Sequence, residues 1–96
     1  MKLEIITPEK KMFEGEVEAV RFPGVDGLFQ VLKGHAPIIS ALSKGQIKVD
    51  LAEGNTDFKE YESSFEMHDK NAKVILLSIK GGVMEMQNDK IIVLVD

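Results

Sequence analysis

Turn-forming residues interrupt this chain so often that each apolar segment has the length of a β-strand rather than that of a helix. No segment carries an unambiguous apolar stripe at helical spacing over roughly 11 residues, the shortest window that defines an amphipathic helix. The 96 residues suffice for one domain with one modest core. The pattern therefore predicts a single domain over residues 1–96, an all-β antiparallel β-sandwich of roughly eight to ten strands.

Alternating apolar and polar residues, bounded by turn residues, locate the individual strands. Strands are predicted at residues 2–7, 16–22, 28–32, 38–42, 46–51, 74–79, 83–86 and 91–95. Turns are predicted at Pro23–Gly24, Asp26–Gly27, Gly34–Pro37, Gly81–Gly82 and Asn88–Asp89, because these residues accept the backbone angles of tight connections.

The second predicted strand changes face partway along its length. Val17 and Ala19 point to one side of an ideal strand, whereas Val20 and Phe22 point to the other side. One extra residue in the strand would bring both pairs onto the same face, so we predict a β-bulge near Ala19.

The spacing of apolar side chains in residues 52–73 fits both a helix and a strand. Aromatic and apolar side chains recur at helical spacing at Phe58, Tyr61, Phe65 and His68, and alternating residues fall at Tyr61, Ser63, Phe65 and Met67. Turn residues on both sides, Gly54-Asn55 and Asp69–Asn71, favour strands over a helix. The sequence therefore predicts an extended polar hairpin around residues 52–73.

Composition and charge exclude several classes of partner. The net charge is −4, and acidic and basic residues are interspersed, so no basic stripe offers itself to nucleic acid. Cysteine is absent, which removes disulfides and thiolate metal sites. The apolar runs are far shorter than the about 20 residues of a membrane-spanning helix. Any association with a membrane is therefore expected to go through another protein.

Patterns that carry catalysis are missing from the sequence. His35 and His68 are the two histidines, and neither belongs to a metal-ligand spacing such as HExxH. No serine lies in a GxSxG elbow, and Gly24-x-x-Gly27 lacks the strand-to-helix context of a dinucleotide site. The sequence predicts no catalytic residue, no metal and no cofactor.

The segment Met84-Glu85-Met86 is similar to the Met-Lys-Met hairpin of lipoyl and biotinyl carrier domains, which are also small β-sandwiches. In those domains the central lysine is modified. Glu85 stands where the amine is needed, so this sequence does not support a carrier function.

A longer motif supports a different resemblance. Its centre is Pro23-Gly24-x-x-Gly27-x-Phe29-x-Val31-Leu32-x-Gly34-His35-Ala36-Pro37. Upstream of it lie Ile5-Ile6-Thr7-Pro8-Glu9-Lys10 and Phe13-x-Gly15-x-Val17. Downstream of it lie Ser40-Ala41-Leu42-x-x-Gly45, Gly81-Gly82-Val83-x-Glu85 and Val93-Leu94-x-Asp96. In this order, the motifs resemble the N-terminal β-sandwich domain of the epsilon subunit of F-type rotary ATP synthases. They cover most of the chain outside residues 52–73.

The resemblance implies a rotor subunit in the central stalk of a proton-translocating ATP synthase. Such a subunit has no active site of its own, links the gamma shaft to the membrane c-ring, and lies peripherally on the cytoplasmic face of the bacterial plasma membrane. By resemblance, the c-ring contacts are expected at Leu28, Gly34, His35 and Ala36. The gamma-subunit contacts are expected at Thr7, Ser40, Leu42 and Gln46.

His35 has two interpretations within this family. The preferred one is a polar contact to the c-ring, held at a loop tip by Gly34 and Pro37. The other is a histidine that closes its own loop through a hydrogen bond to the backbone.

Three departures from the family change what is expected. Residues 52–73 form a longer and more polar connection than the family usually carries. Many members have an acidic residue where this chain has Leu28, so the ring contact is expected to be apolar. The sequence stops at Asp96, where the family's inhibitory helical hairpin would begin, so coupling without self-inhibition is expected.

A free-standing β-sandwich that binds a small ligand is the alternative function. It requires a concave pocket with convergent polar groups. A rotor subunit requires instead an apolar outer face, on the order of 800 Å² for each partner of a standard interface.

Overall fold

A computed structural model describes residues 1–52, 66–67 and 74–96 of the chain, and the fold of these residues is all-β. The strands are β1 (Lys2–Ile6), β2 (Lys11–Gly24), β3 (Gly27–Leu32), β4 (Ile38–Leu42), β5 (Gly45–Leu51), β6 (Glu66–Met67), β7 (Val74–Ile79), β8 (Gly82–Gln87) and β9 (Lys90–Val95). The predicted all-β class and the eight strands predicted from the sequence are confirmed. Apart from β6, the predicted hairpin at 52–73 lies almost wholly outside the described residues.

Strand β2 belongs to both layers of the fold. Its first half pairs with β1, and its second half pairs with β5 on one side and β3 on the other. One layer therefore contains β4, β8, β9, β1 and the start of β2, and the other contains β3, the end of β2, β5, β7 and β6. The sequence prediction missed the first half of β2, residues 11–15.

The predicted bulge lies where β2 passes from one layer to the other. Val17 pairs with Leu51 and Ala19 pairs with Asp50, so Glu18 is the extra residue. Because of this insertion, Val17 and Val20 both point into the core, and Glu18 is exposed.

The strand pairing corrects one detail of the prediction. An antiparallel sandwich was expected, but β1 and β9 run parallel, with Ile5 opposite Val93, so the sheet is mixed. One edge of β1 is taken by its antiparallel neighbour β2. The direction of β9 is set by its hairpin with β8, and the two ends of the chain meet in parallel as a result.

The inward faces of both layers form one apolar core. Phe13, Phe22, Ile47, Met84 and Ile91 are among its fully buried side chains, and no buried polar side chain occurs in the described part of the chain. Burial of each large apolar side chain contributes about 1.5–3 kcal/mol to folding. The stability of the domain therefore rests on packing between the layers.

Two residues in left-handed conformation close the hairpin between β8 and β9. Asn88 has φ 54° and Asp89 has φ 60°, the geometry of a type I′ turn. The predicted turn at Asn88–Asp89 is confirmed. Its twist matches that of the flanking strands, which fixes the register of β9 against β8.

We expect Gly82→Ala to lower the free energy of unfolding by about 1–3 kcal/mol, the usual effect of overpacking. A Cβ at this position would overlap the carbonyl oxygen of Leu94 and lie 3.1 Å from the Cα of Val95. Urea denaturation measures the loss. The neighbouring Val83→Ala, at an exposed position, is the control and should cost less than about 1 kcal/mol. If both variants lose the same free energy of unfolding, the backbone of β9 moves to accommodate the added Cβ, and the expected overlap is wrong.

The outer side of the β1–β2 pair carries a cluster of ion pairs around Glu14. The Lys11 ammonium lies 3.0 Å and the Lys2 ammonium 3.1 Å from its carboxylate oxygens. Hydrogen bonds from Lys11 first and Lys2 second hold the pKa of Glu14 below its usual value of 4.5. Its contribution to stability is therefore present above pH 4.5 and is lost as the pH falls through the lowered pKa.

We expect Glu14→Gln to lower the urea midpoint slightly at pH 7 and to match the wild-type chain in acid, once the pH is below the lowered pKa of Glu14 and its carboxyl group is protonated. The effect is small because surface ion pairs are screened by solvent. Glu18→Gln is the control, since Glu18 makes no ion pair within the described residues. A Glu14→Gln deficit that persists in acid would contradict this account.

Candidate interaction surfaces

The outer side of the first layer carries an exposed apolar surface, which we call the apolar face. It consists of the outward side chains Ile6, Ile39, Ala41, Val83, Ile92 and Leu94. Ile39 is 71% exposed and Leu94 is 50% exposed. Cross-strand pairing places Ala41, Val83, Leu94 and Ile6 in one continuous row across β4, β8, β9 and β1. With strands about 4.8 Å apart, this row is about 14 Å long.

The sequence of β9 explains why this surface is apolar. Ile91, Val93 and Val95 fill the core, yet the alternating residues Ile92 and Leu94, which point outward, are apolar as well. Strands that are apolar on both sides are typical of sheets covered on both faces. A β-strand of this kind with one exposed face therefore indicates a partner.

A shallow groove of about 170 Å³ lies in the apolar face, lined by Ile39, Val83, Met84, Glu85, Ile92 and Leu94. This volume is below the roughly 300–1,000 Å³ of small-molecule pockets. A wider depression of about 560 Å³ adjoins it and shares Val83 and Leu94. The Thr7 hydroxyl at its edge is already occupied, because it donates to the Lys10 carbonyl and accepts from the Lys10 amide. The volume of the wider depression is within the range of small-molecule pockets, but Thr7 and Asp96 are the polar side chains among its described lining residues, so it lacks the convergent polar groups that the small-ligand alternative requires.

Strand β3 presents a second exposed apolar surface, which we call the β3 edge. Leu28 is 68% exposed, Leu32 is 53% exposed, and Val25 in the preceding turn is 60% exposed. In the described part of the chain β3 pairs only with β2, so its other edge is open. The surface therefore combines apolar side chains with a strand edge that pairs with no other described strand.

Glycines and an aromatic pair shape the turn before β3. Phe29 packs on Phe22 with ring centroids 5.4 Å apart. A Cβ on Gly24 would lie 2.8 Å from the Phe29 ring, and Gly27 has φ 124°, which favours glycine. These constraints account for the Pro-Gly-x-x-Gly-x-Phe spacing and hold Leu28 outward.

His35 is exposed at the far end of β3, in the turn that follows Leu32. Its Nδ1 lies 2.6 Å from the carbonyl oxygen of Ala36, and its backbone N–H donates to the carbonyl of Leu32. Because a carbonyl only accepts, Nδ1 carries the hydrogen, and Nε2 is left as an acceptor when the ring is neutral. Gly34 has φ 84°, which favours glycine in this turn. The loop-closing bond of one interpretation is thus present.

The residues predicted to contact the c-ring do not form one patch. Gly34, His35 and Ala36 are exposed together in one turn, whereas Leu28 lies at the other end of β3. Leu28 and Leu32 are four residues apart on the same side of the strand, a separation of about 13 Å. The β3 edge connects the two ends.

The residues predicted to contact the gamma subunit are also divided. Thr7 adjoins the apolar face, whereas Ser40 lies on the opposite side of β4 from Ile39 and Ala41 and pairs with the buried Met84. Leu42 is only 4% exposed, so its side chain belongs to the core and offers almost no surface to a partner. Gln46 lies elsewhere, in an open depression that it shares with Leu28.

Sequence reasoning missed the side chains that make the apolar face, namely Ile6, Ile39, Ala41, Val83, Ile92 and Leu94. A signal was present in the sequence, since β9 is apolar on both of its sides. The alignment of these side chains across four strands depends on the pairing of β1 with β9, which alternation within a strand cannot reveal.

Features of other functional classes are not seen in the described residues. No group of three His, Cys, Asp or Glu side chains comes together there as it would around a metal ion. The same residues include no helix long and apolar enough to cross a membrane. A small β-sandwich with apolar side chains on its outside is the architecture of an interaction domain.

Comparison with known proteins identifies the family. A family model described as ATP synthase, Delta/Epsilon chain, beta-sandwich domain matches residues 1–61. The ATP synthase epsilon chain of Chlorobium limicola is 43% identical over 75 residues, covering 78% of this chain and 85% of the relative. That of Desulforamulus reducens is 35% identical over 95 residues, covering 99% of this chain and 58% of the relative. The chain belongs to the ATP synthase delta/epsilon family, and the resemblance to epsilon chains is confirmed.

A solved structure shows the same fold. A chain in the cryo-EM structure of the Tetrahymena thermophila mitochondrial ATP synthase, central stalk and c-ring, superposes with a TM-score of 0.64 at 13% identity. The match covers 99% of this chain and 62% of that chain. At this identity the likeness concerns the fold alone.

Proposed function

We propose that this chain is a non-catalytic rotor subunit that links the gamma shaft of a proton-translocating ATP synthase to its membrane c-ring. The observation that carries the proposal is the presence of two distinct exposed apolar surfaces, the apolar face and the β3 edge, on one packed core. An adaptor needs two such surfaces, because it must hold two partners at once.

The apolar face suits the gamma shaft. Its apolar row is bordered by polar side chains, including Lys2, Glu4, Gln87 and Lys90, on the same outer side. Apolar centres with polar rims are typical of stable protein interfaces. Thr7, one of the expected gamma contacts, lies next to this face.

The β3 edge and the turn at Gly34–Pro37 suit the polar loops of the c-ring. Leu28 supplies an apolar contact where many relatives have an acidic residue, and the exposed His35 supplies the ring nitrogen Nε2, which its own turn does not use. In this arrangement the chain associates with the cytoplasmic face of the bacterial plasma membrane through its partners.

Mechanical coupling follows from the packing. The two layers share β2 and a single core cluster, and close-packed interiors have low compressibility. A torque applied at the apolar face is therefore transmitted to the β3 edge with little deformation of the domain. This role requires no bond-making chemistry in the chain.

We expect the double variant Ile39→Ser, Leu94→Ser to bind the purified gamma subunit at least about tenfold more weakly, because two exposed anchors of the apolar face are lost. Leu32→Ser, on the β3 edge, is the matched control and should bind gamma as the wild-type chain does. Isothermal titration calorimetry measures both affinities. Equal gamma affinity for the wild type and the double variant would refute docking on this face.

We expect His35→Ala to weaken attachment to the c-ring and to leave the domain folded, because His35 is exposed and bonds only to its own turn within the described residues. Co-sedimentation of the gamma–chain complex with purified c-ring measures attachment, and circular dichroism measures folding. His35→Gln, which keeps a polar side chain, should retain part of the attachment. If His35→Ala sediments with the c-ring to the same extent as the wild-type chain, His35 only closes its own loop and makes no contact with the ring.

A further inference from the structure

We propose that Glu85 selects the partner of the apolar face by requiring a basic side chain, Lys or Arg, next to the aliphatic side chain that fills the groove. This inference rests on the proposed docking of gamma on the apolar face. It adds the chemistry that the docking segment must have.

Glu85 is an acidic residue beside the apolar side chains of the groove. Its cross-strand neighbours are Ile39 on β4 and Ile92 on β9, and it lines the groove together with them. It points outward on β8, since Met84 and Met86 on either side are buried. It also lines a second depression together with Gln87, Asn88 and Lys90. The carboxylate therefore lies at the border between the apolar face and its polar rim, beside the groove that a partner would cover.

Glu85 differs from the other outward acidic residue of the same cross-strand row. Glu4 on β1 is bound by the Lys90 ammonium at 3.2 Å and the Lys11 ammonium at 3.8 Å. Glu85 makes no ion pair within the described part of the chain. Water satisfies it while the surface is free.

Covering the groove removes that water. A buried carboxylate without a partner is strongly unfavourable, whereas one that is paired and hydrogen-bonded is tolerated. A wholly apolar partner would therefore bind more weakly, because it leaves the Glu85 carboxylate buried without a pair. A partner with a cation beside Glu85 would not lose this binding energy. The residue acts as a repulsive element against wrong partners as well as an attractive one for the right partner.

The dimensions of the groove define the rest of the segment. Its volume of about 170 Å³ and its lining of Ile39, Val83, Ile92 and Leu94 fit one aliphatic side chain. The matching segment therefore presents an aliphatic residue with Lys or Arg beside it. The net charge of −4 of the chain also favours a basic partner surface.

A second copy of this chain is a poor occupant of the same groove. A two-fold dimer uses the same patch on both copies, so a groove-to-groove contact would bring Glu85 close to its symmetry mate. Like charges brought together in this way are destabilising. The charge at Glu85 thus opposes self-association through the apolar face.

The test measures the affinity of the full chain for the purified gamma subunit by isothermal titration calorimetry. We expect Glu85→Gln to weaken binding about tenfold, because a charge-assisted pair is lost, and Glu85→Lys to weaken it about 100-fold or more, because like charges then meet. When NaCl is raised from roughly 0.05 to 0.5 M, the affinity of the wild-type chain for gamma should decrease, and the affinity of Glu85→Gln should decrease much less. Glu18→Gln, an equal charge change at the exposed bulge, should behave as wild type.

The outcomes separate this inference from the proposed function. If Ile39→Ser, Leu94→Ser weakens gamma binding but Glu85→Gln binds as well as or better than wild type, the role of Glu85 is refuted and docking on the apolar face stands. If no variant of the face changes gamma binding, the proposed docking fails as well. Analytical sedimentation of the free chain measures self-association. If the wild-type chain forms a dimer and the double variant Ile39→Ser, Leu94→Ser does not, the proposed selection by Glu85 is overturned.

Discussion

The packing of two β-layers on one apolar core depends on how β2 crosses between them. A continuous strand without an insertion would turn either Val17 or Val20 toward water, because side chains alternate strictly along a strand. The extra residue Glu18 keeps both in the core. The order of the remaining strands follows from this crossing, since β1, β3 and β5 all pair with β2.

This arrangement leaves apolar side chains on the outside in two places. In the first layer, strands that are apolar on both sides have only one side in the core, which leaves Ile39 and Leu94 exposed. In the second layer, the open edge strand β3 exposes Leu28 and Leu32. One packed core thus carries two separate contact surfaces. The proposed role of an adaptor that transmits rotation requires this combination.

Most of the fold could be predicted because its signals are local. The turn at Asn88–Asp89 and the slip of phase near Ala19 are both readable within a few residues, and the structure contains both. The missed start of β2 has a physical cause. Its inward positions Phe13 and Val17 are separated by Gly15, which has no side chain and interrupts the alternating pattern.

The candidate surfaces were less predictable, because they depend on pairing between distant strands. Leu42 was expected to contact a partner, yet its inward position on β4 places it in the core. By itself, the sequence determined the class of fold, the bulge and the tight turns, since backbone preferences and side-chain alternation act over neighbouring residues. Only the tertiary structure decided the parallel pairing of β1 with β9 and the apolar face that it completes, because contacts between the ends of a chain leave no periodic pattern in its sequence.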